Sequence, residues 1–169
     1  MSSIQEILGE LRSVAYDERD KGARFEKLVQ AFLKTEPQYQ DLYDEVWLWQ
    51  EYPRRNGRTD TGIDLVARER ATGAFTAIQA KFFAPTTQVT KPMLDSFLAA
   101  SSKNFEGAPE FSARLIVSTS DNWGKNAEEA VENQNPPVSR LRIQDLDESS
   151  IDWSQFSLAK PGELTKKPH

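Results

Sequence analysis

Residues 62–83, GIDLVARERATGAFTAIQAKFF, decide how this chain folds. IDLVARE and FTAIQAKFF are rich in apolar and β-branched residues, and the Thr72-Gly73 pair between them is a hairpin signal, so the stretch predicts two antiparallel strands. Into these strands the sequence sets an aspartate, Asp64, and a lysine, Lys81. Charged groups in sheet interiors are costly unless paired, hydrogen-bonded or bound to a cation, so they call for a use. Side chains alternate across a strand, which puts Gln79 on the same face as Lys81, about 7 Å along the strand. Hairpin pairing then brings Asp64 beside Gln79. A carboxylate, an amide oxygen and an ammonium group converge on one patch.

Working outward, helical spacing of Ile4, Ile7, Leu8, Leu11 and Val14 predicts a first helix capped by Ser2 or Ser3. A second helix is expected over 21–34, with Phe25, Leu28, Val29 and Phe32 on one face, Glu26 at its margin and Pro37 ending it. EVWLWQEYP (45–53) reads as a strand, followed by a basic loop, RRNGRTDTG (54–62). Thr90 is placed to cap a third helix with Pro92 in its first turn, Met93, Leu94, Phe97, Leu98 and Ser101 along it, and its end expected by Gly107. ARLIVST (113–119) reads as a buried strand, Asp121 as the cap of a helix over 122–133, and VSRLRIQDL (138–146) as a last strand. Helices and strands in this order imply an α/β fold with a central mixed sheet flanked by helices. Trp47, Trp49, Trp123 and Trp153 are read as core or rim aromatics.

Composition removes several chemistries. The 169 residues contain no cysteine, and the single histidine is His169, the last residue. Thiolate or histidine zinc sites and Ser-His-Asp or Cys-His catalysis therefore have no material. No apolar run approaches the roughly 20 residues of a membrane span and no signal pattern opens the chain, so a soluble cytoplasmic protein is expected. Net charge is −5, yet between Tyr52 and Lys91 seven basic residues face three acidic ones. Arg54, Arg55, Arg58 and Lys91 in that segment are candidates for contact with a DNA backbone.

The patch suits magnesium-assisted phosphodiester hydrolysis. Magnesium takes oxygen ligands and is held by one or two carboxylates together with substrate phosphate oxygens. Asp64 is the first candidate ligand, the Gln79 side-chain oxygen a neutral second, and Glu26 a further carboxylate. Lys81 is placed to orient the attacking water and offset charge on the phosphorus centre. Asp60, within RTDTG, is either a turn residue or a further metal or DNA contact.

GID followed by QAK resembles the active-site signature of the PD-(D/E)xK nuclease superfamily, in the Mrr-like branch where glutamine precedes the lysine. The helix KGARFEKLV (21–29) resembles that branch's first helix, whose glutamate matches Glu26, and LIVSTSDNWGKNAEEAV (115–131) resembles the strand and helix that come after the lysine strand there. Together with LRIQDLDESSIDWSQF (141–156), the chain is similar to the N-terminal nuclease domain of type ISP restriction-modification enzymes. The resemblance implies a restriction-endonuclease-like fold and Mg2+-dependent cleavage of double-stranded DNA, with Asp64, Gln79, Lys81 and Glu26 as catalytic residues. It also implies a helicase-like motor and a methyltransferase in the same longer polypeptide, and these would supply any use of ATP and S-adenosylmethionine. Residues 1–157 are expected to form the nuclease domain, with 1–19 a candidate extension, and 158–169 a linker or tail. The competing expectation is a non-catalytic module of the same fold that clamps DNA or docks on the motor.

Overall fold

A computed structural model describes residues 4–55, 62–102, 111–155 and 162–168. Five strands form one sheet in the order β1-β2-β3-β4-β5: β1 (Tyr43–Leu48), β2 (Leu65–Glu69), β3 (Phe75–Lys81), β4 (Phe111–Ser118) and β5 (Val138–Leu141). The first two pairings are antiparallel and the last two parallel, so the sheet is mixed, as expected, and β3 lies at its centre. The central position follows from composition: every residue of β3 before Lys81 is buried, including Thr76 and Gln79.

Helices cover both faces. On one face α1 (Ile4–Val14) and α2 (Glu18–Thr35) pack Ile7, Leu11, Phe25, Leu28 and Phe32 against Leu65, Ala67, Ile78, Ala80, Leu115 and Val117. On the other, α4 (Lys91–Ser101) and α5 (Lys125–Val131) place Leu94, Phe97, Ala100 and Ala127 over Val66, Ala77 and Ile116. Through most of the sheet the two core clusters sit on alternate strand residues, as a period of two requires, and the pairing register shifts where this breaks, after Tyr43 in β1 and after Phe111 in β4. Trp49, Trp123 and Trp153 are buried in these cores and Trp47 is partly buried.

Several elements end elsewhere than expected, and β1, β5 and α5 fall short because a backbone donor is captured locally. Thr35 ends α2, but Pro37 then opens a short helix, α3 (Pro37–Leu42), where its fixed φ and missing N–H suit the first turn. The strand expected to reach Pro53 stops at Leu48, whose N–H donates to Glu51 Oε1 at 3.0 Å, and a 3₁₀ turn follows over Trp49–Glu51. The last strand stops at Leu141 because Arg142 N–H donates to Asp145 Oδ2 at 2.8 Å, opening α6 (Ile143–Asp147). The helix expected from Asp121 begins after Gly124. Residues 122–124 pair instead with Val89, through Val89 N–H to Asn122 O at 2.7 Å and Gly124 N–H to Val89 O at 2.9 Å. Thr90 occupies the cap position of α4 without a side-chain cap bond. Ser2, Ser3, Arg58 and Asp60 lie outside the described residues. No helix among the described residues is long and apolar enough to cross a membrane.

Near the C-terminus, Asp152 N–H donates to Thr165 O and Lys167 N–H to Ser150 O, each at 2.6 Å, and Leu164 rests on the first core cluster.

Candidate active site

Asp64 stands one residue ahead of β2, and extending the Leu65↔Ile78 pairing by one step sets it level with Gln79. Its backbone is held on both sides: Asp64 N–H donates to Ile78 O at 3.0 Å, and its carbonyl accepts from Trp49 N–H at 2.9 Å. Its carboxylate accepts the Ala80 backbone N–H through Oδ2 at 2.9 Å. A carboxylate fixed by a backbone donor keeps one orientation relative to β3.

Gln79 is 1% exposed, and its Oε1 is buried with no hydrogen-bond partner among the described residues. An unmet carbonyl oxygen in a protein interior costs about 1–3 kcal/mol, so it is retained only where something else repays it. Lys81, the last residue of β3, is partly exposed at the end of that strand. The chain beyond it is pinned to β4: Thr119 N–H donates to Lys81 O at 3.1 Å, and the Thr119 hydroxyl both accepts from Phe83 N–H and donates to Phe83 O at 2.6 Å.

Glu26 reaches the same region from α2. Burial pushes its carboxyl up to about 7; the Asp64 charge pushes in the same direction and Lys81 pulls it back. These influences put the two carboxylates and the ammonium within electrostatic reach of one another. The helix is registered against the sheet by Gln30, one turn beyond Glu26, whose Nε2 donates to Val46 O at 3.0 Å and Glu51 Oε1 at 2.9 Å. Sequence reading singled out neither Gln30 nor Glu51, because their contact joins residues 21 apart that carry no shared pattern.

The donor set is two carboxylates and an amide oxygen. Among the described residues no group of three or more His, Cys, Asp or Glu converges as a metal site. Magnesium does not require such a group, since one or two carboxylates and substrate phosphate oxygens suffice. The orphaned Gln79 Oε1 is an oxygen donor of the right kind, so these residues fit that cation.

The basic candidates are dispersed. The Arg54 guanidinium lies 5.6 Å from the Phe75 ring centroid, Arg55 Nε donates to Gln50 O at 3.2 Å, and Lys91 Nζ pairs with Asp95 at 3.0 Å.

Residues 34–163 match the family described as Restriction endonuclease, an Mrr-type catalytic domain. The chain is similar, at 34% identity and a TM-score of 0.79, to a solved structure of the ATP-dependent Type ISP restriction-modification enzyme LlaBIII bound to DNA. That alignment covers 99% of this chain and 10% of LlaBIII. Two further restriction enzymes share the fold at 19% identity: the DNA modification-dependent AspBHI, with a TM-score of 0.53, 84% of this chain and 33% of that one covered, and MspJI in complex with a 27-mer oligonucleotide, with 0.51, 82% and 30%. No curated protein matches. With the family matched over most of the chain, and a relative of the same kind aligned along nearly all of it, this chain belongs to the Mrr-like restriction endonucleases of the PD-(D/E)xK superfamily.

Proposed function

We propose that this chain is the DNA-cleaving domain of a type ISP restriction-modification enzyme, hydrolysing phosphodiester bonds with the aid of Mg2+. The reading is supported by the electrostatic influence of Asp64 and Lys81 on Glu26, taken with a buried Gln79 Oε1 that has no hydrogen-bond partner among the described residues. Asp64, Gln79 and Glu26 would hold the cation, which supplies a positive centre that polarises the phosphate and favours deprotonation of the attacking water. Asp64 presents an oriented carboxylate because Ala80 N–H fixes one of its oxygens. Gln79 contributes an oxygen without a second buried charge. Lys81 hydrogen-bonds the attacking water and balances negative charge growing on the phosphoryl oxygens. Glu26, on a helix registered by Gln30, completes the carboxylate pair from α2.

The similarity to LlaBIII extends the proposal to the whole protein. The motor and methyltransferase would reside in a longer polypeptide, use ATP and S-adenosylmethionine, and deliver this domain to double-stranded DNA in the cytoplasm. Arg54, Arg55, Arg58 and Lys91 would then touch the DNA backbone. In this arrangement residues 1–157 form the nuclease and 158–169 lead towards the next domain.

The test is nicking of supercoiled plasmid by the wild type, Asp64→Ala and Lys81→Ala, each checked for folding, in magnesium and in chelator. Magnesium-dependent nicking lost in both variants is expected. DNA binding that is indifferent to chelator, with no strand breaks, would replace the nuclease by a clamp or docking module.

A further inference from the structure

Two glycines of the hairpin region adopt left-handed backbone, Gly62 at φ +80° and Gly73 at φ +72°, and they differ in what surrounds them. A methyl added at Gly73 would meet nothing within 4 Å, so that glycine serves only the turn. At Gly62 the same methyl would lie 2.7 Å from Ser96 Oγ, 3.0 Å from Ser96 C and 3.1 Å from Ser96 O. The hydroxyl can rotate away, but the backbone of α4 cannot readily retreat. The neighbouring Leu94 and Phe97 are 1% and 0% exposed and anchor that helix in the core.

We propose that Gly62 is a positioning residue: its bare Cα, seated on the α4 backbone at Ser96, sets the point from which the chain delivers Asp64 to the catalytic face. Only Ile63 separates Gly62 from Asp64. Ile63 is 3% exposed and shares a core cluster with Leu94 and Phe97, so displacement at Gly62 is not absorbed there. It passes to Asp64, whose carboxylate must reach Ala80 N–H while presenting its other oxygen edge to a cation. The sheet thus sets the direction of Asp64 and α4 sets its depth. Residues that orient a metal ligand typically matter by about 10–100-fold in metal affinity.

This inference rests on the assignment of Asp64 as a magnesium ligand, and the test separates the two. Magnesium is titrated calorimetrically into the wild type, Asp64→Ala, Gly62→Ala, Gly73→Ala and Ser96→Val, while exchange of the Ala80 amide is followed without metal. Gly73→Ala carries the same backbone strain without the collision. Ser96→Val crowds the contact from the α4 side without changing any φ, and it serves if Gly62→Ala does not fold. Gly62→Ala and Ser96→Val are expected to lose about tenfold or more in magnesium affinity and to exchange the Ala80 amide faster, while Gly73→Ala matches the wild type in both. Adding Ser96→Gly to Gly62→Ala should recover part of the loss. Gly62→Ala and Ser96→Val behaving as Gly73→Ala would overturn the positioning role. If Asp64→Ala binds magnesium as the wild type does, the metal assignment fails, and Ala80 exchange alone then decides whether Gly62 sets the place of Asp64.

Discussion

Glu26 is the candidate group whose ionisation the fold resists most clearly, since burial and the Asp64 charge both favour its protonated form. With its folded value raised from the usual carboxylate range to about 7, the folded state holds a proton that the unfolded chain releases near 4.5. Metal-free stability should therefore fall as pH rises between those values and stay lost above them. Glu26→Gln, which cannot ionise, is expected to melt higher than the wild type at pH 8 in chelator and to lose that advantage at pH 4. Added magnesium should reverse the order at pH 8, and thermal melts across pH with and without the ion check both. Gln79→Glu argues from the same balance. It replaces an orphaned oxygen by a third charge, so the metal-free protein should lose stability while magnesium binds more tightly, as paired melts and titrations would show. An unchanged melting temperature together with unchanged affinity would remove Gln79 from the cation's surroundings. The adjacency of Asp64, Gln79 and Lys81 was legible in the sequence because strand alternation and hairpin pairing are local rules. The seat of Gly62 on Ser96 was not, because it joins positions 34 apart through the packing of a helix whose face no pattern at Gly62 announces.

The strand that carries Gln79 and Lys81 is one element whose end is held by another. The hydroxyl of Thr119, just past β4, takes the N–H and supplies the O–H for the carbonyl of Phe83, two residues after Lys81. Thr119→Val keeps the shape, leaves Phe83 N–H unmet and leaves Phe83 O only the Arg12 guanidinium at 3.3 Å, so unfolding free energy should drop by about 1–3 kcal/mol. If the tether also fixes Lys81, nicking should fall more than the melting temperature explains, and a stability-matched core variant such as Ile116→Val supplies the comparison. Elements of this kind explain where sequence reading succeeded and where it stopped. The long amphipathic helices and β3 were readable because their apolar periodicity is set by large buried faces. The ends of β1, β5 and α5 were not, since each is decided by a single donor taken by Glu51, Asp145 or Val89. Propensity does not encode which acceptor arrives first.

At the scale of the whole molecule, the proposed function requires a chain with net charge −5 to approach a polyanion. Its local basic excess lies between Tyr52 and Lys91, where Arg68 is already engaged by Asp44 and Lys91 by Asp95. Non-specific DNA binding by proteins typically has Kd of about 10⁻⁴–10⁻⁶ M at physiological salt, and an acidic domain belongs at the weak end of that range. If Arg54, Arg55, Arg58 and Lys91 each neutralise one phosphate, log affinity should fall with log salt at a slope of about −3.6. That amounts to roughly a 150-fold loss between about 50 and 200 mM. Each single change to glutamine should reduce the slope by about 0.9 and weaken all sequences alike, because backbone contacts carry no base information. Fluorescence anisotropy with a labelled duplex in calcium or chelator reads both quantities without cleavage. A slope unmoved by all four substitutions would shift the DNA track to another face of the domain. An affinity too weak to measure here, but strong in a longer polypeptide carrying the motor, would mean that delivery, not intrinsic attraction, brings the catalytic strand to its phosphate.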